Sequence, residues 1–158
     1  MLIPFNHIVE THKPVIIGIL HIGAGECEEI EDYEKHISRD KILWINPGSD
    51  NVAFCKSMHP GIQIECANAG DSEMRDIVYK HDVPFNFLTI DLQGFETQIL
   101  DGLGELLTLV DYVYFEISSV DTMLELDTYM KKYQLINLET KWWDEGTWAD
   151  VFYARSIR

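Results

Sequence analysis

Apolar and polar positions along the chain follow a strand-then-helix rhythm. Residues 1–12 are mixed, and Lys13-Pro14 leads into Val15-Ile-Ile-Gly-Ile-Leu-His-Ile22, which is apolar on both faces and rich in β-branched residues. Such a run predicts a central strand covered on both sides, as in a parallel sheet. Gly23 and Gly25 follow, and Ile30, Tyr33 and Ile37 then recur at helical spacing within Glu26 to Ser38. Lys41 to Ile45 reads as a second strand, closed by Asn46-Pro47-Gly48. Asp50 is placed to cap a helix carrying Val52, Ala53 and Cys55 or Lys56, and Ile62 to Ala67 is a third strand.

The turn Asn68-Ala-Gly-Asp-Ser72 opens a helix over Glu73 to Lys80, with Met74, Ile77 and Val78 on one face. Phe85 to Asp91 is a fourth strand, Gln93-Gly94 turns into a helix over Phe95 to Leu103, and Asp111 to Ile117 is a fifth strand. Asp121 caps a helix bearing Met123, Leu124, Leu126, Tyr129 and Met130. Leu135 to Lys141 and Ala149 to Arg155 form an antiparallel hairpin across a tryptophan-rich loop. Strand and helix thus alternate before a closing hairpin. This predicts a doubly wound α/β sheet with ligands at the carboxyl ends of its strands.

At 158 residues the chain is read as a single domain, residues 1–158, since single cores commonly hold roughly 100–200 residues. Asp and Glu number 27 against 12 Lys and Arg, a net charge of -15. That balance argues against nucleic acid and anionic membrane as partners and leaves a small neutral or cationic ligand. Cys27, Cys55 and Cys66 show no CxxC spacing and read as thiols in a reducing compartment. Without a membrane-length apolar run or a signal-peptide pattern, the expected location is cytoplasmic.

The chemistry concentrates at strand ends. His21-Ile-Gly-Ala-Gly-Glu-Cys27 is a glycine turn that lets backbone approach a ligand at a helix start. A dinucleotide fingerprint would need glycine at Glu28 and an acid at Asn46, so a nicotinamide or flavin oxidoreductase is disfavoured. Asp91 ends an apolar strand before Gln93-Gly94, where it serves either a ligand or the cap of the next helix. Glu116, flanked by Phe115 and Ile117, either faces the cleft or bonds a loop backbone. Asp150 either faces an acceptor or pairs with a surface lysine, and Glu96 favours a helix N-terminus. Asp91, Glu116 and Asp150 could together hold Mg²⁺, but their spacing does not demand it, and no metal is expected. Trp142, Trp143 and Trp148 either stack a sugar face or cover the hairpin. The acidic group Glu26, Glu28, Glu29, Glu31 and Asp32 reads as a solvated helix face.

Ile22-Gly-Ala, Glu29-Ile-Glu-Asp-Tyr33, Trp44-Ile45, Thr89-Ile-Asp-Leu-Gln-Gly-Phe-Glu96, Tyr112-Val-Tyr-Phe-Glu-Ile117 and Trp148-Ala-Asp-Val-Phe-Tyr153 occur in that order. Together they resemble the FkbM family of class I S-adenosylmethionine-dependent methyltransferases. The resemblance implies a Rossmann-like, mostly parallel sheet whose C-terminal antiparallel hairpin supplies the reversed strand. It implies S-adenosylmethionine lying across the ends of the first, second and fourth strands. Gly23, Ala24 and Gly25, with His21 at the same turn, would meet its methionine part. Asn46 would meet the ribose and Asp71 the adenine, while Asp91 would stand beside the transferred methyl. It implies O-methylation of a sugar or another small hydroxylated acceptor, with Asp91, Glu116 and Asp150 as the catalytic candidates.

The chain departs from that pattern at several places. His21 stands where the class carries an acid, and Cys27 where it carries a third glycine. Asn46 replaces the ribose-clasping acid, forgoing a charge-assisted bond worth about 1–2 kcal/mol. The segment between strands three and four is shortened. A binding or scaffold module that has lost the cofactor is therefore the alternative, and a homodimer would replace the missing wall.

Overall fold

The computed structural model describes residues 1–143 and 146–156. In chain order it runs α1 (Phe5–His12), β1 (Ile19–Ile22), α2 (Ile30–Glu34), β2 (Ile42–Asn46), α3 (Ser49–Met58) and β3 (Gln63–Cys66). It continues through α4 (Ser72–His81), β4 (Phe87–Ile90), α5 (Glu96–Leu103), β5 (Tyr112–Ile117), α6 (Val120–Lys131), β6 (Leu135–Trp142) and β7 (Ala149–Arg155). Among these residues the strands make one seven-stranded sheet in the order β3-β2-β1-β4-β5-β7-β6. Strands β1 to β5 pair in parallel, and β7 lies antiparallel between β5 and β6. The mostly parallel sheet with a closing antiparallel hairpin agrees with the expectation from sequence.

Strand side chains alternate between two covered faces, which is why β1, β2 and β4 read as uninterrupted apolar runs. Leu20, Leu43, Leu88, Val113 and Phe115 pack under α4, α5 and α6 through Met74, Ile77, Leu100, Leu103 and Met130. Ile19, Ile42, Trp44, Phe87, Tyr114 and Phe152 pack on the other face under α1, α2 and α3. The segment joining β3 to β4 holds a single helix, α4, as its length suggested. No helix among the described residues is long and apolar enough to cross a membrane.

The element boundaries differ from the sequence reading in several places. β1 begins at Ile19, and Val15 and Ile17 are 75% and 48% exposed. At Gly18 the backbone passes so close to Pro84 that a side chain would lie 1.8 Å from the Pro84 carbonyl oxygen, so only glycine fits. Asn86 bridges this stretch instead, accepting from the Ile17 amide at 2.9 Å and donating to the Val15 carbonyl at 2.8 Å. α2 keeps only Ile30–Glu34 of the longer helix expected, and β4 only Phe87–Ile90. Asp50 and Asp121 sit in the first turns of α3 and α6. The capping positions are Gly48 and Ser119, and the Ser119 hydroxyl accepts from the Thr122 amide at 3.1 Å.

α1 is an element the sequence reading did not assign. Its apolar positions Phe5 and Ile8 are fully buried. The Phe5 ring meets Tyr33 and Phe87 edge-on, with centroids 4.6 and 5.4 Å away. Removing this ring leaves a void between helix and sheet. Phe5→Ala should therefore lower unfolding free energy by about 3–5 kcal/mol in urea titrations, whereas a loss below ~1 kcal/mol would show α1 to be a peripheral addition.

Candidate functional site

The site follows from strand register. His21, Trp44, Thr89 and Tyr114 lie side by side across β2, β1, β4 and β5, and Tyr114 faces Phe152 on β7. All point to the face under α1–α3. Two residues further toward the carboxyl ends, the same face presents Gly23, Asn46, Asp91 and Glu116. On β7, which runs the other way, it presents Asp150, directly opposite Glu116. Alternation and register thus collect these groups, drawn from five strands, into one polar rim above an aromatic floor.

The floor is closed by a buried polar chain. His21 Nδ1 lies 3.0 Å from the Tyr33 hydroxyl, which lies 3.1 Å from Thr89 Oγ1, and the His21 ring stacks on Trp44 at 4.7 Å. Burial pushes the His21 imidazole down to about 3, against a weaker opposing hydrogen bond at Gly23, so it is neutral at physiological pH. His21 was expected at the cofactor's edge. Its side chain is 1% exposed and lies beneath the rim, because the third position of a four-residue strand points into the aromatic layer.

Gly23 brings the ends of β1 and β4 together. Its φ is +93°, and a side chain there would stand 2.1 Å from the Asp91 carbonyl oxygen. Its amide donates to the Ile45 carbonyl and the Asp91 amide to the Ile22 carbonyl, both at 2.9 Å. Gly25 has φ +50° with open space where a side chain would be, and Cys27 keeps a φ of +59°. The turn therefore holds a glycine-type backbone even where glycine is replaced. Asn46 is buried, and its side-chain nitrogen donates to the Gly25 carbonyl at 3.4 Å, a bond shared by Asn51 at 3.3 Å. Ala24 is buried behind this turn, and Asp71 is an exposed residue at the N-cap position of α4.

Asp91 is half-buried. Burial first, then the Glu116 and Glu29 carboxylates, push it up to about 7. Glu116 accepts from Gln93 Nε2 at 2.6 Å. Asp150 is 1% exposed, and one oxygen accepts from the Ile3 amide at 2.8 Å and also from the Leu2 amide. Its other oxygen, Oδ1, lies beyond normal hydrogen-bond distance of any donor, and the buried Tyr114 hydroxyl is the group that interacts with the carboxylate. Burial first and then the Asp150 carboxylate push the Tyr114 phenol well above its usual range. The surface lysine considered for Asp150 is not its partner; backbone amides are. Glu96 is buried at the start of α5 and accepts from the Gly94 amide at 3.1 Å, which ties the preceding turn to the helix.

Two contributors escaped sequence reasoning. Glu29 belongs to an acidic run that reads as solvated. Burial, with Glu28 and Glu116 adding to it, raises this carboxyl, and Glu29 in turn acts on Asp91. The N-terminal segment is the other. Met1 and Leu2, with Glu116, Trp143, Trp148 and Asp150, line a cavity of about 320 Å³ beside the rim. Hollows of about 520 and 580 Å³ lie at the opposite, amino end of the strands around Val83 and Pro84, away from the carboxylates of the rim. Among the described residues no group of three His, Cys, Asp or Glu is arranged to hold a metal ion.

No family model and no curated protein sequence matches the chain. Solved structures do resemble it in fold. A ribosomal protein L11 methylase from Lactobacillus delbrueckii subsp. bulgaricus superposes with TM-score 0.66 at 11% identity, over 95% of this chain and 75% of the other. TrmK from M. capricolum, solved with S-adenosylhomocysteine, gives 0.63 at 11% identity, over 87% of this chain and 62% of the other. A Streptococcus pneumoniae protein assigned as a tRNA (m1A22) methyltransferase gives 0.60 at 15% identity, over 90% of this chain and 65% of the other. The chain thus spans less than two thirds of the last two. The shared sheet is the Rossmann-like sheet of class I methyltransferases.

The raised Asp91 carboxyl has a sign that can be checked. Its folded value near 7 exceeds the ordinary ~3.9, so the folded chain retains a proton that the unfolded chain releases between those values. Stability should fall as pH rises through that window and stay lowered above it. Asp91→Asn should melt with the wild type near pH 4, gain in Tm up to about pH 7, and hold that gain beyond. Parallel melting curves for the two proteins would show that Asp91 is not held in this environment.

Proposed function

We propose that the chain is an S-adenosylmethionine-dependent methyltransferase acting on a small acceptor. The observation that carries the reading is the rim of Asp91, Glu116 and Asp150, with Glu29, at the carboxyl ends of this sheet. None of them takes part in an ion pair with lysine or arginine among the described residues. The Met1 α-ammonium acts on Asp91 and Glu29, but at Asp91 it counts for less than burial and the Glu116 and Glu29 carboxylates, so the rim favours a ligand that brings further positive charge. S-adenosylmethionine, when bound, supplies a methyl group on a positively charged sulfur that is open to in-line displacement. The S-adenosylhomocysteine held by the M. capricolum neighbour supports the same cofactor here.

Gly23 and Gly25 would receive the methionine end, where Gly25 has open space in front of it. Ala24 would back that turn. Asn46 would face the ribose once its bond to Gly25 is exchanged, and Asp71 would meet the adenine. His21 contributes from below by holding the floor rigid. Asp91 orients the acceptor and takes its proton. A carboxylate raised to about 7 is a more competent base than an ordinary one, because its proton affinity lies near the working pH. Glu116 and Asp150 hold the acceptor in line, which accelerates transfer by positioning.

The resemblance to the FkbM family supports O-methylation of a sugar or another small hydroxylated acceptor. The S. pneumoniae neighbour supports RNA as a second reading, and it removes the fold as a reason to exclude nucleic acid. Charge still argues for the small acceptor, since a chain at -15 repels a phosphate backbone.

Calorimetric titration at pH 8 tests the reading. S-adenosylmethionine and S-adenosylhomocysteine should bind saturably at one site. Asp91→Asn should weaken S-adenosylmethionine about tenfold and S-adenosylhomocysteine much less, because only the former carries the sulfonium charge. Affinity for S-adenosylmethionine should rise as pH passes upward through about 7, where Asp91 ionises. Absence of binding by either compound at millimolar concentration would leave the fold as a scaffold without its cofactor.

A further inference from the structure

We propose that Cys27 and Cys55 are a peroxide-responsive pair, and that their oxidation to a disulfide locks the glycine turn to α3 and weakens cofactor binding. The covalent step stands on the placement of the two sulfurs alone. Its effect on the cofactor rests on the methyltransferase reading.

Both residues are buried, and Cys27 Sγ lies 2.9 Å from Cys55 Sγ. That contact is less than about 1 Å beyond the bond length of a disulfide. The two sulfurs come from different parts of the site, Cys27 from the turn after β1 and Cys55 from α3. A bond between them therefore joins two elements that the fold brings together. Cys27 also stands on a backbone that favours glycine, with φ +59°, which a non-glycine residue adopts at a cost. The strained position is the one whose side chain reaches the second thiol.

The thiols feed into the hydrogen bonding of the turn. Cys27 Sγ donates to Cys55 Sγ, and Cys55 Sγ donates weakly to the Gly25 carbonyl at 3.7 Å. The same carbonyl accepts from Asn46 at 3.4 Å and Asn51 at 3.3 Å. Oxidation removes both S–H donors and leaves that carbonyl to the asparagines. Asn46, which must release Gly25 to face the ribose, is then held more firmly. A turn bonded to α3 also adjusts less around the methionine end. Both effects oppose cofactor binding.

The oxidant is a hydroperoxide, of which hydrogen peroxide is the simplest. One sulfur attacks a peroxide oxygen, the O–O bond breaks, and a sulfenic acid and a water result. The second sulfur then attacks the first, so that the S–S bond forms, the S–O bond breaks and another water leaves. The two thiols lose two electrons and two protons, and the peroxide gains them. Burial first, then Cys55 and Glu29, push the Cys27 thiol up, so thiolate is scarce and the reaction is slow at neutral pH. Burial also selects a small uncharged oxidant. Glutathione disulfide should reach only Cys66, the exposed thiol.

The test uses the whole chain carrying Cys66→Ala, so that only the buried pair reports. After hydrogen peroxide at pH 8 its mass should fall by about 2 Da, peptide mapping should join Cys27 to Cys55, and dithiothreitol should reverse both. The oxidised form should melt at least about 5 °C higher, because the bond closes a long loop. Amide exchange across residues 23–28 should slow, and S-adenosylhomocysteine should bind about fivefold or more weakly than to the reduced form. Adding Cys55→Ala should abolish the mass loss and the rise in melting temperature. Thiols that survive peroxide until urea is added, a cross-link elsewhere, or a disulfide that leaves exchange at residues 23–28 unchanged would each overturn the proposal. Equal or tighter S-adenosylhomocysteine binding by the oxidised form would also overturn it. If the reduced chain binds no S-adenosylhomocysteine, the methyltransferase reading falls, while mass, melting and exchange still decide the lock.

Discussion

Like charges crowd one end of this sheet. Asp91, Glu116 and Asp150 stand on neighbouring strands with Glu29 close by, and none has a lysine or arginine ion partner among the described residues. Proteins rarely keep such an arrangement, because half-buried carboxylates that face one another destabilise the fold that holds them. Much of the surrounding structure manages this repulsion. Backbone amides of Leu2 and Ile3 hold one Asp150 oxygen, Gln93 holds Glu116, and Asp91 retains a proton up to about 7. The remaining imbalance is what a positively charged ligand would relieve.

The class of sheet was legible in the chain because its central strands are apolar on both faces and turn residues punctuate them. Asp91, Glu116 and Asp150 were legible as polar groups in otherwise apolar strands. Their alignment was not, since it depends on which strands become neighbours, and β7 inserting beside β5 is a tertiary event. Local pattern also misjudged extent. The residues from Val15 to Ile17 have strand composition, yet the Ile17 amide and the Val15 carbonyl are taken by the Asn86 side chain and not by a neighbouring strand. Glu29 was hidden for a related reason. Its neighbours Glu28 and Glu31 are exposed, and nothing in an acidic run marks the one member that turns inward.

The substitutions in the glycine turn take on a physical meaning. Cys27 occupies a left-handed backbone position, so the path of the turn is set by its packing and not by glycine's freedom alone. Its thiol lies against Cys55 at 2.9 Å, and the Gly25 carbonyl collects donors from Asn46 and Asn51. The turn is thus fastened to β2 and α3 by side chains. Between β3 and β4 only α4 remains, and the cavity beside the rim is walled instead by the N-terminal segment and the hairpin tryptophans.

The amides of Leu2 and Ile3 meet a carboxylate 148 and 147 residues away. Contacts of such span form late, because the intervening chain must first surrender its freedom. The first residues described here cannot be held in this way until β7 is in place. Until then α1 has only part of its landing surface, and the wall it anchors has no counterpart. Asp150 lines the cavity from β7, so the cavity's geometry depends on that last strand taking its place beside β5.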